Sequence, residues 1–75
     1  MSAYAVILVH STSHAIQAER VLKRAGLTVK LVPTPRHLSS DCGSAVRIAA
    51  ADRARGEAAL VEAHVPVDRI EPLDE

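Results

Sequence analysis

Tyr4-Ala5-Val6-Ile7-Leu8-Val9-His10, followed at once by Ser11-Thr12-Ser13, is the stretch that decides the fold. Residues 4–10 form a β-prone apolar run of strand length, and apolar residues on both faces predict a central strand. The hydroxyl cluster behind it is a set of good helix N-caps. From there Ala15, Ala18, Leu22 and Ala25 recur at helical spacing, with Ile16 and Val21 widening the stripe. Arg20, Lys23 and Arg24 fall in the last turns, where positive charge suits the helix dipole. Gly26 is the expected residue just past the end.

Working outward, Thr28-Val29-Lys30-Leu31-Val32 alternates and reads as a second strand, ended by Pro33 and Pro35. Residues 34–44 hold a cluster of turn formers and read as a loop. Ala45-Val46-Arg47-Ile48-Ala49 alternates again as a third strand. Asp52 is positioned to cap a second helix over about 53–64, with Ala54, Ala58 and Val61 on one face. Gly56 weakens that helix by about 1 kcal/mol relative to alanine, and Pro66 marks the exit. Asp68-Arg69-Ile70-Glu71 is a short last strand, with Pro72 fitting an edge position.

The order is β-α-β-β-α-β, a ferredoxin-like α+β pattern with two weakly similar halves. It predicts a four-stranded antiparallel sheet with the third strand between the first and second, and both helices on one face. The other face would be open. Ala5, Ile7 and Val9 share one face of the first strand and Tyr4, Val6 and Leu8 the other, so a row of apolar side chains left on the open face would favour association with another chain, such as a homodimer.

The chain has 75 residues, enough for one small domain covering 1–75. A domain of this size buries only about 60% of the surface its unfolded chain exposes, so association is a natural supplement. Formal net charge is zero and Tyr4 is the only aromatic. Nucleic-acid binding is therefore not expected: the electrostatic footprint and the stacking platforms are both missing. The longest apolar run is too short to span a bilayer, and no basic segment precedes it as in a signal peptide. The expected location is the cytoplasm. Charge is unevenly placed. Residues 1–37 carry five basic and one acidic side chain; residues 38–75 carry four basic and eight acidic.

Cys42 is the only cysteine, so no internal disulfide and no CxxC pair exists. It sits in a polar loop, Leu38-Ser39-Ser40-Asp41-Cys42-Gly43, flanked by Arg36 and Arg47. The predicted topology gathers this loop, the start of the first helix, and His10, His14, His37 and His64 at one end of the molecule. Thiolate is the reactive form of cysteine, and a helix N-terminus or a nearby cation favours it. Ser39 and Ser40 offer hydroxyl donors, and Gly43 lets the backbone approach closely; Asp41 opposes the anion. The alternative is a buried, inert core cysteine. A zinc site built from Cys42 and two or three of the histidines is a further alternative, although no pair has a recognised ligand spacing. Phosphate-binding glycine loops and a nucleophile elbow are not present in the sequence.

The string Pro35-Arg36-His37-Leu38-Ser39-Ser40-Asp41-Cys42-Gly43, with His10-Ser11-Thr12, Ala25-Gly26-Leu27 and Ala45-Val46-Arg47, resembles the small selenium/sulfur carrier protein-like family over about residues 4–71. The family's signature, Pro-Arg-x-Leu-Ser-Ser-x-Cys-Gly, is intact here. Ser13-His14 departs from the acidic helix start frequent in relatives, and Gly56 interrupts the second helix. The resemblance implies a carrier rather than an enzyme, with no cofactor. Cys42 would hold a persulfide or selenopersulfide, with Arg36, Ser39, Ser40 and Gly43 as its loop neighbours; Arg47, which flanks the loop, completes the residues expected near the thiol. It implies a cysteine desulfurase-like donor and a protein acceptor of sulfur or selenium. The competing reading is a non-catalytic interaction or regulatory module.

Overall fold

The first strand runs straight to the end of the sheet from which the first helix sets out. The computed structural model describes residues 3–38 and 43–73. The elements are β1 (Tyr4–Leu8), α1 (Thr12–Arg24), β2 (Val29–Pro33), β3 (Ser44–Ala49), a 3-10 turn (Ala50–Asp52), α2 (Arg53–Glu62) and β4 (Arg69–Leu73). The sheet order is β2-β3-β1-β4, and every neighbouring pair is antiparallel. β3 therefore lies between β1 and β2, as the α+β pattern in the sequence predicts. Leu8, at the end of β1, faces Ala45 of β3 on one side and Arg69 of β4 on the other. The end of β1 and the starts of β3 and β4 thus share one edge of the molecule, and α1 starts there too.

Side-chain alternation divides the sheet into two faces. Ala5, Ile7 and Val9 join Val46 and Ile48 against Ala15, Ala18, Leu22 and Leu60 of the helices. Ile7, Leu22, Ile48 and Leu60 are fully buried, each stabilising the fold by about 1.5–3 kcal/mol. Both helices cover this one face, because Val6, Leu8, Ala45 and Leu73 form a second cluster that contains no helical residue.

That second cluster corrects one expectation. Of the two rows on β1, the one with Val6 and Leu8 faces away from the helices, and both residues are completely buried within the single chain. Tyr4, Val32 and Leu38 pack against them, and the Arg47 guanidinium lies 4.2 Å from the centre of the Tyr4 ring. The helix-free face is therefore not a bare apolar row.

The second helix corrects several more. Its buried residues are Gly56 and Leu60, whereas Ala54, Ala58 and Val61, the stripe favoured by the sequence, are exposed. An alanine-rich helix has little contrast between faces, so spacing alone selects the wrong one. Ile16 of α1 is likewise 43% exposed. Asp52 precedes α2 but makes no side-chain capping hydrogen bond; the 3-10 turn leads the chain into the helix instead. Element ends shift by one or two residues: β1 stops at Leu8, α2 at Glu62, and β4 runs through Pro72 to Leu73. As an edge strand, β4 leaves one side of its backbone unpaired, which tolerates Pro72. Gly56 is a close contact point rather than a flaw: a Cβ there would lie 3.0 Å from Ile48 Cδ1 and 3.4 Å from Leu22 Cδ2.

Both helices end in the same hydrogen-bonded motif. In α1, Leu27 N donates to Leu22 O at 3.1 Å and Gly26 N to Lys23 O at 3.0 Å. In α2, Val65 N donates to Leu60 O at 3.0 Å and His64 N to Val61 O at 3.1 Å. These are paired Schellman caps, whose C′ residue adopts the left-handed conformation. Gly26 fits that position at φ +89°, and His64 occupies it at φ +58° without glycine's freedom. The similarity of the two halves, faint in sequence, is thus a shared helix ending.

Candidate functional site

The connection between β2 and β3 is built on a firm stem. Pro33 faces Ser44 in the strand register, and Thr34 N donates to Gly43 O at 3.0 Å just beyond it. This ties the end of the edge strand β2 to the start of the central strand β3. Leu38 N donates to Pro35 O at 3.0 Å, a reverse turn with Arg36 and His37 at its tip. Both tip residues are exposed. Leu38 then turns back and packs against the Val6, Leu8 and Ala45 cluster. The first half of the loop is therefore anchored over the helix-free face by one apolar side chain.

Ser39, Ser40, Asp41 and Cys42 lie outside the described residues. Of the other residues expected around the thiol, Arg36 sits at the exposed turn tip and Gly43 closes the stem. A Cβ on Gly43 would meet nothing within 4 Å, so among the described residues nothing requires a glycine there. Arg47 is placed differently. It stands in β3 opposite Val6, and its guanidinium covers Tyr4, which pairs with Ala49 at the far end of the strand. The structure brings Arg36 and Gly43 into the loop and directs Arg47 towards the opposite end of the sheet.

The start of α1 opens at the same end as the loop. Ser11 is its N-cap, and its Oγ accepts from His14 N at 3.3 Å. The first turn of α1 holds no acidic residue, so the partial positive charge of the helix terminus, roughly half an elementary charge, is not neutralised by a carboxylate of its own. The last turn carries Lys23 and Arg24, as the dipole favours.

His10 follows β1, His14 lies in the first turn of α1, His37 is in the loop and His64 follows α2. The backbone topology does gather their elements at one end. Among the described residues, however, no group of three or more histidine or acidic side chains is arranged to hold a metal ion. His14 Nδ1 is buried without a hydrogen-bond partner among those residues. Among the described residues, no helix is long and apolar enough to cross a membrane.

Residues 4–72 match the family described as "Putative Se/S carrier protein-like". The chain belongs to this family. The match spans both helices and all four strands, apart from the final residue of β4, so membership of the Se/S carrier-like family concerns the whole fold and not the cysteine loop alone. No curated protein and no solved structure matches the chain.

Sequence reasoning missed two structural members of this Se/S carrier-like loop. One is Leu38 as the anchor; the signal was an isolated leucine inside a polar segment. The other is the Thr34–Gly43 clasp, a backbone contact that leaves no mark in side-chain identity.

Proposed function

We propose that this chain carries sulfur or selenium on Cys42, as a persulfide or selenopersulfide, between a cysteine desulfurase-like donor and a protein acceptor. The observation that carries the reading is the family match over residues 4–72, joined to the intact signature string around the only thiol. The loop mechanics support it. A carrier's reactive group must enter two different partner sites in turn, which suits a segment with a fixed stem and an exposed tip more than a closed cavity.

The chemistry needs little from the carrier. The Cys42 thiolate attacks the outer sulfur of the donor's cysteine persulfide. A new sulfur–sulfur bond forms, the donor's own bond breaks, and the donor cysteine leaves as thiolate. The sulfane sulfur changes carrier with no net oxidation or reduction. An acceptor thiolate then attacks the same outer sulfur and releases Cys42. For selenium, the outer atom is selenium and the bookkeeping is unchanged. With no second cysteine in the chain, the persulfide has no internal thiol to resolve it as a disulfide, which suits a carrier.

In this reading Arg36 supplies positive charge at the loop tip, and the uncompensated start of α1 adds to it. Ser39 and Ser40 donate hydrogen bonds to the sulfur anion, and Gly43 closes the loop. Arg47 contributes charge at longer range from its position on the sheet. The chain itself is a carrier rather than an enzyme and works in the cytoplasm. Thiol alkylation provides a first test: Cys42 reacts quickly with iodoacetamide in the absence of denaturant. A reaction that requires urea assigns Cys42 a structural role and overturns the reading.

A further inference from the structure

The two edges of the sheet differ. At β4 the Arg53 guanidinium donates to Ile70 O at 3.0 Å, and Pro72 has no N–H to offer a further strand. β2 is open. The bond from Thr34 N to Gly43 O continues the β2–β3 register, and bonded pairs alternate along an antiparallel ladder. Lys30 and Val32 therefore bond to Arg47 and Ala45, while the N–H and C=O of Val29 and Leu31 and the C=O of Pro33 point outward. No strand lies beyond β2, and among the described residues no hydrogen bond closes these outward groups. Val29 packs against the helix-side core, so Leu31, two residues on, shares that face; it is 37% exposed. Lys30 is exposed on the other face. Its surroundings are basic. The one acidic side chain of residues 1–37, Glu19, is taken by Lys23 at 3.9 Å. Among the described residues Lys30 and Arg36 form no ion pair, and neither β2 nor β3 contains an acidic residue.

We propose that the β2 edge docks an extended segment of a partner protein, one that alternates acidic and apolar residues and joins the sheet as a fifth, antiparallel strand. Main-chain bonds form to the outward groups of Val29, Leu31 and Pro33. The segment's apolar side chains lie beside Val29 and Leu31, and an acidic one stands opposite Lys30, where a cross-strand pair of opposite charge is favourable. Its first residues run towards the Pro35–Leu38 turn and the Arg36 tip. The identity of the partner rests on the carrier reading: the protein that exchanges sulfur or selenium with Cys42 docks on the strand that leads into the cysteine's loop. A second copy of this chain is a poorer occupant. Joining two β2 edges sets Lys30 and Arg47 of one copy beside the same residues of the other, with no acidic residue on either strand. The β4 edge of a second copy is occupied by Arg53 and interrupted by Pro72.

Titration of the full, isotope-labelled chain with a capped peptide of about eight residues, alternating valine and glutamate, tests the site by amide NMR. Bound peptide slows hydrogen exchange at Val29 and Leu31 at least about fivefold and leaves Ile70 unchanged. The dissociation constant rises at least about threefold between about 50 and about 500 mM salt. Lys30→Glu, an exposed change, weakens binding about fivefold or more and transfers the preference to a valine–lysine peptide. Leu31→Pro removes an outward N–H without removing a bond to β3, and it abolishes binding with an unchanged circular dichroism spectrum. A peptide that does not bind, that binds without protecting Val29 and Leu31, or that binds Lys30→Glu equally well overturns the proposal. So does protection of Val29 and Leu31 that rises with protein concentration in the absence of peptide, which assigns the edge to a second copy. Peptide binding needs no thiol, so its failure is separate from a failure of Cys42 to take up sulfur.

Discussion

Replacing Gly56 by alanine should destabilise this chain, although alanine is the better helix former by about 1 kcal/mol. The added Cβ would lie 3.0 Å from Ile48 Cδ1, 3.4 Å from Leu22 Cδ2 and 3.6 Å from Leu27 Cδ1. Carbon atoms pack best at about 3.5–4.0 Å, so the contact with Ile48 is too short by roughly half an ångström or more. Relief is difficult. Ile48 is 1% exposed, Leu22 is 0% and Leu27 is 6%, so none of the three methyl groups can swing into solvent. Overpacking a full core costs about 1–3 kcal/mol. Subtracting the propensity gain leaves a net loss of about 1 kcal/mol, which lowers Tm by roughly 4–8 °C in a chain of this size. Urea titration followed by circular dichroism at 222 nm reads the change. Ala58→Gly provides the contrast: on the exposed side of the same helix it loses about 1 kcal/mol through propensity alone. A Gly56→Ala protein as stable as the wild type, or more so, would show that α2 does not approach the sheet this closely.

The twin helix endings make opposite predictions for their two C′ residues. His64→Gly relieves a left-handed non-glycine conformation and raises stability by about 0.5–1 kcal/mol, whereas Gly26→Ala introduces one and lowers it by about 1 kcal/mol; thermal melts of both variants check the pair. Leu38→Ala removes the loop's apolar anchor, costing about 1–2 kcal/mol for a half-buried leucine. Amide hydrogen exchange should quicken at Leu38 and Thr34 and stay unchanged in α1. Equal quickening throughout the sheet would contradict a local anchoring role.

Much of the fold was legible because its signals were local and redundant. The run Tyr4–Val9, the Ser11 cap and Gly26 all point the same way, and strand order follows once the elements are named. What failed was the assignment of faces in α2. Ala54, Ala58 and Val61 form a plausible apolar stripe, but the buried side was chosen by Gly56, whose missing side chain admits Ile48 and Leu22. A residue that matters for what it lacks gives no apolar signal. The covering of Val6 and Leu8 was also illegible, because it depends on Leu38 returning from the loop and on Arg47 lying over Tyr4. For the site, the turn formers after β2 marked the loop that exposes Arg36, Cys42 lies outside the described residues, and Arg47's direction could be read only from coordinates.

Intact-mass spectrometry tests the central claim most directly. The chain is incubated with a cysteine desulfurase and cysteine, then desalted without reductant. The account predicts a gain of about 32 Da, one sulfur atom, that a thiol reductant removes and that Cys42→Ser never acquires. A wild type that gains no such mass, or a Cys42→Ser variant that gains it equally, would contradict the assignment of Cys42 as the carrier thiol.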